Sequence, residues 1–310
     1  MPELPDVLLY IEALRARILS QRLEQLQLVS PFVLRSVEPP IQSITGLTVQ
    51  DIQRSGKRIL IRFGPSDRSG PTRTEPGDGA DLFLVLHLMI AGRLRWREPD
   101  QKAGIGPRRL LASLVMSNGT LLFTEASSRK RASMQLVRGA EAVRALDRGG
   151  IEPLEASVAM FREALTRENH TLKRGLTDPR LFSGIGNAYS DEILHAARLS
   201  PLKLTRSLSG DDVERLHGAT RDTLRTWIDR LRQELAGRFP EKVTAFHSAM
   251  AVHGRYRQPC PVCGAPVQRI VYAANECNYC AQCQTGGRLL ADRSLSRLLR
   301  DDWPKSIDDI

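Results

Sequence analysis

The chain has 310 residues, 41% hydrophobic and 26% charged, the make-up of a soluble globular protein long enough for two cores. Forty-five Lys and Arg against 35 Asp and Glu give a formal charge of +10 and a pI near 9.8. That excess argues against an enzyme of small anionic or neutral metabolites and for a polyanionic partner, while an aromatic content of 5% argues against a protein that reads single strands by repeated base stacking.

The chain opens Met1-Pro2-Glu3-Leu4-Pro5-Asp6. Removal of Met1, which the small ring of Pro2 permits, makes Pro2 a terminal secondary amine of pKa roughly 8, against roughly 10.4 for lysine. Such an amine attacks a sugar aldehyde carbon to form a Schiff base, and Glu3 beside it is placed to move the protons that ring opening and imine formation require. The plainer reading is a helix start at Pro5 and Asp6, with Val7, Ile11, Leu14 and Ile18 on one buried face. The two readings are compatible, since the helix would anchor the reactive terminus.

Strands are predicted over 24–29, 47–53, 58–63, 82–88, 92–96, 110–116 and 120–124, with Asn118-Gly119 as a hairpin turn. Arg54-Ser55-Gly56-Lys57-Arg58 forms a basic turn between two of them, and the Gly-, Pro- and Asp-rich stretch 64–81 reads as a surface excursion. One helix and many strands make the first 135 residues a β-sandwich. From about Val158 the periodicity is helical. Gly184-Ile185-Gly186-Asn187 is a tight turn that lets backbone amides approach an anion before a helix over 188–197. Ser209 and Asp212 open a helix with Val213, Leu216, Thr220, Leu224, Trp227 and Leu231 on one face. The tail after Leu290 is a short mixed-charge helix or coil.

All five cysteines lie between 260 and 283. Cys260-x2-Cys263 and Cys280-x2-Cys283 are separated by sixteen residues and fit tetrahedral zinc held by two knuckles, the second closing a two-stranded ribbon. Cys277-x2-Cys280 is also an admissible pair, so spacing leaves Cys277 and Cys283 as alternatives for the fourth ligand.

A terminal proline beside glutamate, a basic turn at Lys57, a glycine turn before a helix and a four-cysteine ribbon follow one another in this order. In this the chain resembles the formamidopyrimidine-DNA glycosylase and endonuclease VIII family of base-excision repair enzymes, from Met1 to about Leu290. The resemblance implies an α+β fold in five segments: a β-sandwich catalytic domain with a leading helix (1–135), a linker (136–156), a helix-two-turn-helix DNA-binding domain (157–250), a zinc finger (251–290) and a tail (291–310). It implies Pro2 as the nucleophile on the sugar C1′, Glu3 as the acid/base and Lys57 as the β-hairpin lysine of the catalytic site. Lys173, Asn187 and Glu192 match the helix-two-turn-helix region, with Lys173 and Asn187 expected on phosphates. Cys260, Cys263, Cys280 and Cys283 match the four ligands of one structural zinc, leaving Cys277 a spectator where the family commonly has threonine.

Three stretches depart from the family pattern. His87-Leu88-Met89-Ile90 stands where it commonly reads His-Leu-Gly-Met, so Ile90 or Met89 would be the wedge that fills the gap left by an extruded nucleotide. Glu125 to Arg131, with Arg129, Lys130 and Arg131 as phosphate contacts, replaces an Asp-Pro-Arg-Arg-Phe turn. Asn275 stands in place of the finger arginine, and a neutral amide cannot replace a guanidinium on phosphate.

The expected activity is that of a bifunctional glycosylase/lyase on oxidised bases, purines favoured over pyrimidines. The alternatives are an endonuclease VIII-like enzyme for oxidised pyrimidines, a zinc-finger binder of damaged DNA that has lost excision, and, well behind, a zinc-stabilised structural or RNA-binding protein. The partner is double-stranded damaged DNA, the chain a monomer. Without a signal-like segment or an apolar run of membrane-spanning length, it is expected in the cytoplasm with the nucleoid.

Overall fold

A computed structural model describes residues 1–66, 81–101, 104–106, 108–242, 246–272, 275–291 and 304–309. Most of the stretch 64–81, read as a surface excursion, and much of the tail after Leu290 lie outside the described residues. The chain divides into two compact units, Met1–Arg148 with Ile228–Val243, and Gly149–Trp227 with Thr244–Ile310.

The first unit opens with helix α1 (Leu4–Ile18), followed by strands β1 (Leu23–Leu28), β2 (Thr48–Ser55), β3 (Arg58–Gly64), β4 (Leu82–His87), β5 (Gly92–Arg97), β6 (Leu110–Met116), β7 (Gly119–Glu125) and β8 (Ser133–Arg138), and a short helix α2 (Gly139–Arg144). Two antiparallel four-stranded sheets, β1-β6-β7-β5 and β2-β3-β4-β8, form the expected β-sandwich. Strand β8 is additional to the predicted set. Its Met134 and Leu136 are buried between less buried neighbours, the alternation of a half-buried strand, and pairing of Leu136 with Leu84 completes the second sheet. The β6–β7 turn is displaced by one residue from its expected place: Ser117 and Asn118 turn the chain, and Gly119 already pairs with Met116. A Cβ at Gly119 would lie 2.4 Å from the Trp96 ring, so glycine is required there by packing of the neighbouring β5.

The predicted face of α1 is the buried one: Val7, Leu14 and Ile18 are fully buried and Ile11 nearly so, in one core with residues of both sheets. Burial of each such side chain contributes about 1.5–3 kcal/mol.

The second unit contains helices α3 (Val158–Thr166), α4 (Leu172–Thr177), α5 (Asn187–Ala196) and most of α6 (Gly210–Leu235), then strands β9 (Val267–Tyr272) and β10 (Asn275–Cys280) and helix α7 (Ala281–Thr285). Side-chain oxygens of Ser157 and Thr171 cap α3 and α4. At the start of α6 the expected capping box is present, Asp212 N–H donating to Ser209 Oγ at 3.1 Å and Ser209 N–H to Asp212 Oδ2 at 3.3 Å. All six residues of the predicted α6 face are buried. From Ile228 onward α6 belongs to the first unit, where Arg232 makes two bonds, 2.8 and 3.1 Å, to the Glu12 carboxylate. No described helix is long and apolar enough to cross a membrane.

Candidate active site and metal centre

In the first unit, Pro2 and Glu3 are buried. Glu3 is the N-cap of α1 in a reciprocal capping box: its N–H donates to Asp6 Oδ2 at 2.9 Å, and its carboxylate faces the Asp6 N–H. The helix-start reading holds, with Glu3 and the residue before it positioned by the helix that Val7, Ile11, Leu14 and Ile18 root in the core, a placement compatible with the reactive-terminus reading. Burial holds the Met1 ammonium below its ordinary value; Glu3 opposes this, while Arg93 and Lys57 act in the same direction.

Lys57 stands half-buried on the turn between β2 and β3. Beside it, His87 pairs with Arg58 across the β3–β4 ladder, and its pKa is pushed down to about 4 by burial, with Arg58 and Lys57 adding to the effect. After β4 the chain turns through 88–91, and Ile90 is 57% exposed while Leu88 is buried. Gly92 closes that turn by donating to Leu88 O at 2.8 Å. A Cβ at Gly92 would sit 2.3 Å from the same oxygen, so the turn that presents Ile90 requires glycine at its end.

The 126–132 loop is shaped from within by Glu125, whose buried carboxylate accepts from Arg131 N (2.9 Å), Ala132 N (3.1 Å) and Ser127 Oγ (3.0 Å). Lys130 is drawn back onto the Glu125 carbonyl, and Arg129 and Arg131 stay exposed. A basic element that the sequence reading missed lies on β5 and the segment before β6. Arg93, Arg95, Arg108 and Arg109 line a cavity of 490 Å³, and no carboxylate is among its described lining residues. Its signal was present in the alternation of Arg93, Arg95 and Arg97, which places all three side chains on one face of the strand.

In the second unit, Lys173 on α4 does not stand as an isolated cation. Its ammonium bonds both the Asp191 carboxylate and the Asn187 carbonyl, with one of three N–H donors left beyond those bonds. The buried Asp191 also accepts from His253 Nδ1 at 2.7 Å and Asn278 N at 3.1 Å. Asn187, first residue of α5, donates from Nδ2 to Glu276 O at 2.8 Å. Glu192 accepts the backbone N–H groups of Ala251, Val252 and His253 at 2.7–2.9 Å, and burial pushes its pKa up against those bonds. Asp191, unremarkable in the sequence, is thus the acceptor that gathers Lys173, His253 and β10. Asn275 is the first residue of β10 and pairs with Tyr272.

The sulfurs of Cys260, Cys263, Cys280 and Cys283 all lie within 4.8 Å of one another, Cys263 to Cys280 at 3.4 Å and Cys260 to Cys283 at 3.9 Å. Tetrahedral Zn–S bonds of about 2.3 Å place sulfurs about 3.8 Å apart, so this cluster can hold a metal ion. Cys277 packs elsewhere, with Ile270, Tyr279 and Leu289; burial, and then Asp191, push its thiol well above the usual value.

Residues 1–133 match the formamidopyrimidine-DNA glycosylase N-terminal domain, and 150–235 match the H2TH domain of the same glycosylases. The formamidopyrimidine-DNA glycosylase of Thermus thermophilus is 32% identical over 295 residues, 93% of this chain and 100% of its own. This chain belongs to the formamidopyrimidine-DNA glycosylase family. An uncharacterized formamidopyrimidine-DNA glycosylase-like protein of Mycobacterium tuberculosis is 40% identical over 152 residues, 49% of this chain and 94% of its own. Among solved structures, the Lactococcus lactis Fpg in complex with a FAPY-dG-containing DNA has a TM-score of 0.75 at 25% identity, over 91% of this chain and 100% of that one. A MutM complex with carbocyclic 8-oxo-G-containing DNA gives the same TM-score and identity over 92% and 100%. The fold shared with these glycosylases joins a β-sandwich, an H2TH region and a C-terminal four-cysteine ribbon.

Proposed function

We propose that this member of the glycosylase family is a bifunctional DNA glycosylase/AP lyase of base-excision repair, acting as a monomer on damaged double-stranded DNA and preferring oxidised purines such as formamidopyrimidine and 8-oxoguanine. The preference rests on the names and bound lesions of its relatives. One observation carries the chemistry: a buried Pro2-Glu3 pair at the head of a core-anchored helix. Loss of Met1 leaves the Pro2 amine there.

The amine lone pair forms a bond to C1′ of the extruded nucleotide as the glycosidic bond breaks, and the base departs with its electron pair and the proton that the Pro2 nitrogen gives up. Ring opening delivers a proton to O4′, with Glu3 as donor, and leaves an iminium between C1′ and the Pro2 nitrogen. The Glu3 carboxylate left by that donation then takes a C2′ proton, the 3′ phosphate departs with the electron pair of its bond to C3′, and water adds to C1′ to release the Pro2 amine. Lys57 and the arginines of 93–109 and 129–131 supply cations for backbone phosphates, Lys173 and Asn187 are assigned to further phosphates, and Ile90 fills the vacated stack. Cys260, Cys263, Cys280 and Cys283 would hold one zinc, which would supply a structural cross-link and no reacting water, since four thiolates would complete a tetrahedral set.

Borohydride added during reaction on an abasic duplex should reduce the iminium and leave protein covalently joined to DNA, an adduct that a non-covalent binder does not give. A variant with residues added before Pro2, so that the amine is never freed, should bind but neither trap nor nick. Glu3→Gln should keep much of the lyase reaction while losing base excision. Trapping at full yield from the extended chain would show another amine, Lys57 first, to be the nucleophile.

A further inference from the structure

Helix α5 reaches the ribbon at both its ends. At its start Asn187 bonds Glu276 O. Near its end His195 Nε2 lies 3.2 Å from Cys260 Sγ, both groups buried, at 6% and 3% exposure. Nothing in the spacing of the four cysteines calls for a histidine 65 residues upstream.

A thiolate bound to a metal has no proton to give, so in this pair the hydrogen sits on Nε2 and the sulfur accepts. Four thiolates around a divalent ion carry a net charge of −2, and Cys260 and Cys280 hold their share of it in buried positions. Hydrogen bonds to sulfur offset that charge. The ribbon provides backbone donors, Val262 N at 3.5 Å from Cys260 Sγ and Cys283 N at 3.4 Å from Cys280 Sγ. His195 provides one from outside the ribbon, on a helix.

We propose that His195 is a positioning residue of the metal centre: its Nε2–H···Sγ bond to Cys260 draws off thiolate charge, slows metal loss and ties the end of α5 to the ribbon. This rests on the reading that the four cysteines hold a divalent metal. Partners of this kind around metal ligands change affinity by roughly 10–100-fold when removed.

The test uses the full-length, metal-loaded protein challenged with a chromophoric chelator. His195→Phe should surrender its metal roughly 10–100-fold faster than the wild type, and His195→Gln, which keeps an N–H donor, should recover part of the difference. In the cobalt(II)-substituted protein His195→Phe should move the sulfur-to-metal charge-transfer band to lower energy, because a thiolate without its hydrogen bond is easier to oxidise; a packing role alone leaves the band in place. Should His195→Phe fail to fold, the wild-type protein loaded with cadmium-113 decides, since the hydrogen bond carries a measurable coupling between the metal and the imidazole proton. Unchanged release and an unmoved band, or no coupling, overturn the proposal alone. A wild-type protein without stoichiometric metal overturns the ligand reading, and the proposal with it.

Discussion

Leu4, Val7, Leu14 and Ile18 root the amino-terminal helix in the first unit, where α1 meets a core that draws on strands of both sheets. The ribbon of β9 and β10 has only small clusters behind it among the described residues: Ile270, Cys277, Tyr279, Ala281 and Leu289 on one side, and Val252, Cys260, Val267 and Cys280 on the other. Two of the four residues in that second cluster are metal-ligand candidates. One element is thus held by apolar burial, which needs no cofactor, while the other has little apolar burial and four clustered sulfurs that, as the proposed metal ligands, would repel one another as thiolates until a cation joined them. The two elements should therefore fail under different insults.

Removing a ligand has the largest expected effect. Cys283→Ser should abolish stoichiometric metal and with it the ribbon, a contribution on the order of 10 kcal/mol in isolated zinc fingers, while α1 and the sandwich stay folded. Cys277→Ser should keep the metal. Metal content and site-resolved hydrogen exchange on the two variants check this; loss of metal from Cys277→Ser and its retention by Cys283→Ser would reverse the ligand assignment.

Acid should act on the other unit. Folded His87 has a pKa of about 4, against an ordinary value of 6.5, so as pH falls through 6.5 the unfolded chain takes up a proton that the folded chain refuses. Stability is then lost between pH 6.5 and 4, by at most about 3 kcal/mol, with no contribution from this group above that window. Urea midpoints measured across the range should show His87→Gln with a flatter acid limb than the wild type. Equal limbs would mean that the histidine is protonated in the native state.

The smallest effect separates two kinds of cation. On a lesion-site duplex, Arg109→Ala should lower the salt slope of binding by about 0.9, the value for one neutralised phosphate. Lys173→Ala should weaken binding yet change the slope by less, because the buried Asp191 already offsets the ammonium. Affinities at several salt concentrations test the pair. A Lys173→Ala protein unchanged in both affinity and slope would remove α4 from the proposed interface.

Much of this was legible along the chain. Period-two and 3.6-residue patterns depend on which side chains must leave water, so the seven predicted strands, the α1 and α6 faces and the Ser209–Asp212 cap could be read locally. The C-x2-C pairs were legible too, since a knuckle is a local geometry. Other features depend on residues far apart in sequence. Spacing could not choose between Cys277 and Cys283; packing did, by turning Cys277 toward Ile270 and Tyr279. Nothing near Lys173 announces that Asp191 holds it, nor near Cys260 that His195 reaches its sulfur from α5. The arginines of β5 and of the segment before β6 line one cavity only because the sheet and its loop bring them together. Local periodicity and motif spacing determined which elements form and which residues are candidates for chemistry. Tertiary packing decided which charges are neutralised, which thiols gather into one cluster and how deeply the terminal residues lie, because each of those depends on burial and on partners that the order of residues does not place side by side.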